Sequence, residues 1–231
     1  MTATGPAASL VVFDLDGTLV DSVRDIAAAV NAALASVAPD TAALPVTAIH
    51  TFVGDGAAVL IAKSLRAAGL AHRVEEVLPL YLDEYRHRLL ATTTFFPGVR
   101  EALAALAGHT LAVLTNKPGD LSRALLAGLG EATRFARIWG GGDVPGKKPD
   151  PTGLQRLMAE LGARASETVM VGDSAVDVAT GRAAGVATVG VSYGLDPEGL
   201  AAARPDRLLA DLRELPAFLD KRKIRGLADG P

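Results

Sequence analysis

Two carboxylates, Asp14 and Asp16, stand two residues apart at the end of a short apolar run, residues 10–13, and Gly17 follows them directly. The run is typical of a buried strand, and strand side chains repeat with a period of two, so both carboxylates should leave the strand end on one side. Two negative charges this close repel each other, so they need a cation, a shared proton or water between them. A hard divalent ion such as Mg²⁺ suits oxygen ligands of this kind. Gly17 permits a tight turn and leaves backbone N–H groups to face an anion. The stretch therefore predicts a phosphate site beside a metal.

The same residues permit a second interpretation, in which the aspartates only cap a turn after an edge strand. Three further stretches in chain order favour the first interpretation. They are Thr115-Asn116-Lys117 after an apolar run, Lys147-Lys148-Pro149, and Asp173 with Asp177 one helical turn on. With residues 11–22 ahead of them, these stretches resemble the four motifs of the haloacid dehalogenase-like phosphatases, and four matches in order are hard to reach by chance.

The resemblance implies a covalent mechanism. Asp14 would be the nucleophile, because a carboxylate can attack phosphorus to form an aspartyl-phosphate and so divide one hard displacement into two easier steps. Asp16 would be the general acid and base, which protonates the leaving oxygen and then takes a proton from water. Family members that dehalogenate lack this second aspartate, so its presence favours phosphoryl transfer over carbon–halogen cleavage. Lys148, directly before Pro149, would neutralise the Asp14 carboxylate and the transferring phosphoryl group.

Phosphate binding is the second role that the resemblance implies. Thr115 and Asn116 would donate hydrogen bonds to phosphoryl oxygens, and Lys148 would add its charge. Without the other motifs, Thr115 and Asn116 would be interpreted as ordinary turn residues. The two remaining lysines of these stretches, Lys117 and Lys147, are expected to be solvated at the surface.

Metal binding is the third implied role. The expected Mg²⁺ ligands are Asp14, the backbone carbonyl of Asp16, and Asp173, with waters and a phosphate oxygen completing an octahedral shell. Asp177 would lie behind these ligands and orient Lys148 or a water on the metal. Because Asp173 follows a strand and Asp177 comes one helical turn later, both side chains can point to the same side. The cation would offset the repulsion between the nucleophile and the phosphate.

Composition restricts the class of protein. The chain has 231 residues, 49% of them apolar and 21% charged, which is ordinary for a globular protein and excludes disorder as its main state. A formal net charge of −3 offers no basic field for nucleic acid, and the absence of cysteine excludes disulfides and thiolate catalysis.

Residues 1–8 do not look like a signal peptide, and no apolar run reaches the ~18 residues of a membrane span, so cytoplasmic residence is expected. We expect a small phosphorylated metabolite as partner, no nucleic acid, no membrane, and a monomer or homodimer.

Four apolar runs of strand type mark the framework. They cover residues 10–13, 110–114, 168–171 and 186–191, with helix-like stretches between the later ones. This alternation predicts βαβ units and hence a doubly wound, Rossmann-like parallel sheet of the α/β class. Asp14, Thr115 and Asp173 each follow one of these runs. They should meet at the carboxyl edge of the sheet, where open α/β folds bind ligands.

The segment between the first two runs has a different pattern. Amphipathic stretches at 23–38, 57–68 and 74–90 predict helices, and Pro79 should mark either a first turn or a break. Residues 92–97 would form a strand that returns to the core. An all-helical insertion here resembles the cap domain of one subgroup of the family. We therefore expect a core of residues 1–20 and 93–231 and a helical cap of residues 21–92.

The substrate expectation depends on the cap. The loop Gly54-Asp55-Gly56 resembles the one that phosphoglycolate phosphatases place over their active site, and the core stretches agree with that subfamily as well. Hydrolysis of 2-phosphoglycolate to glycolate and phosphate is the implied activity, with Asp55 capping the following helix and the neighbouring amides facing the substrate. Alternatives are phosphoryl transfer of the β-phosphoglucomutase kind, another small phosphomonoester or pyrophosphate as substrate, and a non-catalytic binding protein. The loop could also be only a structural joint.

Overall fold

The computed structural model describes residues 10–71 and 73–220 of the chain, so the expectation for residues 1–8 lies outside it. Its eight strands are β1 (Leu10–Phe13), β2 (Val20–Asp21), β3 (Thr94–Phe95), β4 (Thr110–Pro118), β5 (Arg137–Gly141), β6 (Thr168–Gly172), β7 (Ala187–Val191) and β8 (Arg207–Leu209). Six of them form one sheet in the order β5-β4-β1-β6-β7-β8, and every neighbouring pair is parallel. The doubly wound α/β core expected from the sequence is confirmed.

Strand β1 lies in the middle of this sheet, and its sequence explains its position. All four of its residues are fully buried. Alternate side chains enter two separate apolar clusters: Val11 and Phe13 pack into the larger one, and Leu10 and Val12 into the smaller one on the other face. A strand that is apolar on both sides is stable only where helices cover both faces of the sheet. The strand end after Phe13 is therefore held rigidly from both sides.

Within the described residues, nine helices surround or extend this sheet. They are α1 (Val23–Val37), α2 (Val46–His50), α3 (Ala57–Ala67), α4 (Val74–Arg88), α5 (Val99–Ala105), α6 (Gly119–Gly128), α7 (Thr152–Glu160), α8 (Ala175–Ala183) and α9 (Pro197–Ala203). Helices α1–α4 are inserted between β1 and β4, and α1 packs against α2, α3 and α4. Among the helices in the described residues, none combines the length and apolar character needed to cross a membrane.

The insertion is tied to the core by two short antiparallel strands. Val20 in β2 pairs with Phe95 in β3, and Asp21 pairs with Thr94, so the chain leaves and re-enters the core side by side. The returning strand expected at 92–97 is present. The expectation for Pro79 is wrong: the proline lies inside α4, and the helix continues through it. Packing of α4 against α1 and α3 accounts for this, because tertiary contacts outweigh local propensity.

A buried carboxylate reinforces this connection. Asp25, in the first turn of α1, accepts hydrogen bonds from the backbone N–H and the hydroxyl of both Thr92 and Thr93 at 2.7–3.0 Å. Burial opposes its ionisation, but these hydrogen bonds prevail and lower the pKa of Asp25. The carboxylate thus joins the start of α1 to the segment that re-enters the core.

Replacing Asp25 with alanine is expected to lower the free energy of unfolding by about 2–4 kcal/mol, because several donors lose their acceptor at once. For a chain of this size, the corresponding fall in melting temperature is about 5–12 °C. Asp21→Ala, which removes an exposed carboxylate next to the same joint, is the matched control. Thermal unfolding of both variants checks this, and equal melting temperatures would show that Asp25 does not join the two segments.

Candidate active site

Three carboxylates converge at the carboxyl edge of the sheet, two of them directly after neighbouring strands and one in a helix. Asp14 follows β1, Asp173 follows β6, and Asp177 lies in the first turn of α8. Each offers an oxygen within 4.8 Å of the others, and all three side chains are buried. The edge at which the sequence places Asp14 and Asp173 therefore carries a dense cluster of negative charge.

Lys148 is the cation of this cluster. Its Nζ lies 2.8 Å from Asp14 Oδ1 and 2.6 Å from Asp177 Oδ1, and its side chain is 2% exposed. The backbone of the same residue is fixed as well, because Lys148 N–H donates to Asn116 Oδ1. Asp177 uses its other oxygen to accept from the backbone and hydroxyl of Ser174 in a capping box. Asp177 therefore holds the lysine in contact with Asp14.

Burial and mutual repulsion change the acidity of the cluster. Burial raises the pKa of Asp14 to about 6, although the neighbouring Lys148 charge opposes the shift. Burial also raises the pKa of Asp173 to about 8, with further contributions from the charges of Asp177 and Asp14. For Lys148, burial disfavours the charge, but the two facing carboxylates prevail and raise its pKa.

These residues fit a divalent cation. Three carboxylates face a single ammonium, so negative charge is in excess, and oxygen is the donor that Mg²⁺ and Ca²⁺ prefer. Asp14 Oδ1 is buried and, apart from its ion pair with Lys148, accepts no hydrogen bond of good geometry. The pKa values of Asp14 and Asp173 are raised for the same reason that the site suits a cation. Negative charges that are buried close together are stabilised by a proton or by a positive charge.

Gly17 makes the turn beside this cluster possible. Its φ is +85°, and a Cβ atom at this position would lie 2.3 Å from Asp173 Oδ2, so no other residue fits without displacing a carboxylate. The tight turn expected from the sequence is confirmed. The Gly17 N–H itself donates to the carbonyl of Val20 within the turn, so it is not one of the N–H groups left to face an anion. Thr18 Oγ1 and Leu195 N–H donate to Asp173 and fix its orientation.

The side chain of Asp16 lies apart from the three clustered carboxylates. It accepts from Ser22 Oγ at 2.6 Å and from Lys117 Nζ at 3.0 Å to both oxygens, and Lys117 also donates to Tyr85 OH. The expectation that Lys117 is a solvated surface lysine is wrong, since its side chain is 4% exposed. The contact with Tyr85, a residue of the inserted α4, covers it. Lys147, in contrast, is exposed as expected.

Thr115 and Asn116 lie within the last four residues of β4 but differ in their contacts. The Thr115 side chain lies beside Asp14, where it opposes the rise in the pKa of that carboxyl, and its Oγ1 accepts from the Lys117 N–H at 3.3 Å. Asn116 Nδ2 donates to the carbonyls of Gly54 and Lys148 at 3.0 and 3.1 Å. The side-chain amide of Asn116 is thus engaged by two carbonyl groups, and the role of this residue in phosphate binding stays a prediction. It connects the inserted loop to the segment that carries Lys148.

The loop Gly54-Asp55-Gly56 lies over this edge, and its geometry corrects one expectation. Gly56, not Asp55, is the N-cap of α3, and no side chain caps that helix. Asp55 instead pairs with Lys63 of α3 at 2.7 Å. Both glycines have positive φ, +122° and +90°, so the loop adopts a conformation that other residues rarely reach. The carboxylate of Asp55 is thereby drawn toward α3.

A cleft separates the loop and helices of the insertion from the carboxyl edge. Its empty space is about 410 Å³, part of it open to solvent. The polar part of its lining comes from Asp14, Asp16, Thr115 and Lys117. The opposite wall is mostly apolar and is lined by Ile26, Val53, Gly54, Gly56, Ala57, Leu60 and Tyr81. The arrangement favours a small ligand with an anionic group directed at the sheet edge.

A family model described as haloacid dehalogenase-like hydrolase matches residues 11–191. The chain belongs to this family of hydrolases. Curated relatives of this hydrolase include a phosphoglycolate phosphatase from Pectobacterium atrosepticum, 41% identical over 203 residues, which cover 85% of the chain and 86% of the relative. A phosphoglycolate phosphatase from Rhodospirillum rubrum is also 41% identical, with 83% of each protein covered.

Solved structures extend the similarity to the fold. The hydrolase superposes on a predicted phosphoglycolate phosphatase from Haemophilus somnus with a TM-score of 0.86 and 30% identity, covering 93% of this chain and 99% of that one. The structure of CbbY from Rhodobacter sphaeroides in complex with phosphate gives a TM-score of 0.76 at 25% identity, with 93% and 100% covered. Proteins named as phosphoglycolate phosphatases are therefore similar to this chain in sequence over most of its length and in fold.

Proposed function

We propose that this hydrolase is a Mg²⁺-dependent phosphatase that converts 2-phosphoglycolate to glycolate and phosphate through an aspartyl-phosphate on Asp14. The observation that carries the proposal is the buried cluster of Asp14, Lys148, Asp173 and Asp177 at the mouth of a small cleft. The names of the relatives support the substrate, since curated proteins about 40% identical to it are phosphoglycolate phosphatases.

In the first step, an oxygen of Asp14 attacks phosphorus, and the bond between phosphorus and the glycolate oxygen breaks. The leaving oxygen takes the bonding electron pair and receives a proton from Asp16. Lys148 and Thr115, which already contact Asp14, stabilise the charge on the phosphoryl oxygens as fixed electrostatic partners. Asp177 acts through Lys148, whose ammonium it holds toward Asp14.

In the second step, water attacks phosphorus and Asp16 removes its proton. The bond between phosphorus and Asp14 breaks, which releases inorganic phosphate and restores the carboxylate. Asp14, Asp173 and the backbone carbonyl of Asp16 would hold the cation, which supplies positive charge between the nucleophile and the phosphate. The protein's own contribution is to hold these largely buried groups in place at the edge of the sheet.

We assign substrate binding and catalysis to two different parts of the chain. Residues 1–20 and 93–231 form the catalytic core in this proposal, and residues 21–92 form the cap, in which Gly54, Asp55 and Gly56 close over the substrate. Three features support the division: the paired strands β2 and β3, the contact of Asn116 with Gly54, and the apolar wall that the insertion presents to the cleft. Empty space of about 410 Å³ lies at the low end of ligand pockets, which suits a small metabolite.

The proposal is tested by release of inorganic phosphate from a panel of phosphorylated metabolites with Mg²⁺. We expect the highest kcat/KM for 2-phosphoglycolate, with sugar phosphates, pyrophosphate and other small monoesters at least about tenfold lower. Phosphate release also separates hydrolysis from transfer, because a mutase of the β-phosphoglucomutase kind would move the phosphoryl group between sugar positions and release little phosphate. A higher kcat/KM for any other compound would replace the substrate assignment.

Metal addition is expected to stabilise the protein, and more so at high pH. The pKa of Asp173 rises from 3.8 to about 8, so between these values the folded, metal-free chain keeps a proton that the unfolded chain has lost. Its free energy of unfolding therefore falls as pH rises through this window, and a cation that replaces the proton has more effect at pH 8 than at pH 5.5. At ~100 times its Kd, Mg²⁺ should raise the melting temperature by about 5–10 °C at pH 8.

Activity should vanish with chelator and return with Mg²⁺, whereas full turnover in excess chelator would contradict the proposed site.

The cap loop is expected to matter for substrate binding through Gly56 more than through Gly54. Both have positive φ, so alanine strains the backbone at either position, but only at Gly56 does an added Cβ meet the core, 3.0 Å from the Asn116 carbonyl oxygen. Gly56→Ala should raise KM for phosphoglycolate by about tenfold, while Gly54→Ala, the matched control, changes it about two- to threefold. Equal losses in both variants, with equally lowered melting temperatures, would indicate that the loop is a structural joint only.

A further inference from the structure

Lys117 is a cation that lines the cleft and has no role in the proposed mechanism. Among the twelve residues that line the cleft, it alone carries a positive charge. Lys148 is committed to Asp14 and Asp177 in the cluster, and Lys147 is exposed. A buried ammonium needs compensating partners, and here Asp16 and Tyr85 supply them.

Its position suits recognition of a second charge on the substrate. Asp16, to which Lys117 is paired, flanks the phosphate end of the cleft, while Tyr85 belongs to the cap helix α4, so the ammonium stands where core and cap meet. An ammonium has three N–H bonds, and three acceptor atoms face it here, both oxygens of Asp16 and the hydroxyl of Tyr85. A substrate carboxylate would therefore take over one of the two contacts that Lys117 makes with Asp16. The apolar cap wall, with Leu60 and Tyr81, lowers the local dielectric constant and strengthens attraction between charges.

We propose that Lys117 is the specificity-determining residue of this site and binds the carboxylate of phosphoglycolate while the phosphate lies at Asp14. The inference rests on the proposed function and names the group that would distinguish this substrate from other small phosphomonoesters. A charge-assisted hydrogen bond in a buried site discriminates strongly against a ligand that lacks the acceptor. With such a ligand, the ammonium weakens its contacts with Asp16 and Tyr85 and forms no new hydrogen bond in their place.

Two substrates of nearly equal size separate this role from a structural one. 2-Phosphoglycolate carries the carboxylate, and 2-hydroxyethyl phosphate carries a neutral hydroxyl in its place. We expect wild type to prefer phosphoglycolate, and Lys117→Gln to lower that ratio of kcat/KM values by about 100-fold, mostly through KM. The Ki of inorganic phosphate should change less than about threefold. Lys117→Arg, which keeps the charge, should recover most of the preference.

The ratio of the two kcat/KM values is unchanged by any effect that lowers both of them equally. If Lys117 only positions Asp16, turnover of the two compounds falls together, the ratio stays as in wild type, and the inference is overturned. If wild type shows no preference for phosphoglycolate, the proposed function fails and the inference with it. A wild-type preference that Lys117→Gln retains overturns the role of Lys117 alone.

A measurement on the wild-type protein covers the case in which the neutral variant does not fold. In protein labelled with ¹⁵N-lysine, the ammonium resonance of Lys117 is followed while glycolate is added in the presence of Mg²⁺ and inorganic phosphate. Glycolate should shift this resonance, and ethylene glycol at equal concentration should leave it unchanged. Identical responses to the two compounds, or none to glycolate at saturating concentration, would count against a carboxylate at Lys117.

Discussion

Asp14→Asn is expected to lower kcat for phosphoglycolate by at least about 10⁴-fold without lowering stability. An amide oxygen of the same shape cannot attack phosphorus to form the covalent intermediate. The substitution also removes one of three buried carboxylates, whose mutual repulsion helps to raise the pKa of Asp14 to about 6 and that of Asp173 to about 8. The melting temperature of the metal-free protein should therefore be no lower than that of wild type. Near-wild-type turnover in this variant would refute the mechanism.

Asp16→Asn provides the comparison that separates the two chemical steps. Its side chain lies apart from the three clustered carboxylates and contacts Ser22 and Lys117, so the variant should still bind metal. With an aryl phosphate, whose leaving group needs no proton, the first step should proceed while the second is slow. We expect a burst of phenolate equal to the enzyme concentration in Asp16→Asn, and none in Asp14→Asn. A burst in neither variant would remove the support for a covalent intermediate.

The framework of the site could be predicted because it depends on local pattern. The apolar runs before Asp14 and Asp173 are strands whose every residue is buried, and parallel pairing brings their ends to one edge whatever the rest of the chain does. Lys148 was assigned from its motif, and the ion pairs with Asp14 and Asp177 agree with that assignment. Strand β5 was not foreseen, because its Arg-Ile-Trp-Gly-Gly sequence lacks a continuous apolar run and owes its pairing to β4.

The environment of Lys117 and Asn116 could not be predicted, because it comes from residues far away in the sequence. Lys117 is buried by a contact with Tyr85 of α4, and the side-chain amide of Asn116 donates to the carbonyl of Gly54 in the inserted loop. Both contacts depend on how the insertion sits on the core, which no local periodicity encodes. Asp25 did leave a signal, since it stands beside Ile26 on the apolar face of α1, but its partners come 67 and 68 residues later.

Lys148→Met is expected to impair both catalysis and stability, in contrast to Asp14→Asn. Methionine has a similar length and no charge, so the transferring phosphoryl group loses its ammonium, and kcat/KM should fall by about 10³-fold. Three buried carboxylates are left without their compensating cation, which should cost about 3–5 kcal/mol of unfolding free energy in the metal-free protein. Lys147→Met is the matched control, because that lysine is adjacent in sequence and exposed, and it should keep the wild-type melting temperature within about 2 °C.

The double variant Asp14→Asn/Lys148→Met tests whether charge balance is the cause. Removing Asp14 relieves part of the repulsion that the loss of Lys148 exposes, so the double variant should be more stable than Lys148→Met alone by about 1–2 kcal/mol. Denaturant unfolding of the four proteins in chelator measures this coupling. Mg²⁺ should return part of the stability of Lys148→Met but little of its activity, since a cation at Asp14 and Asp173 replaces charge without replacing the lysine's contact with the phosphoryl group. A double variant less stable than either single variant would mean that packing of the lysine side chain, and not its charge, holds the cluster together.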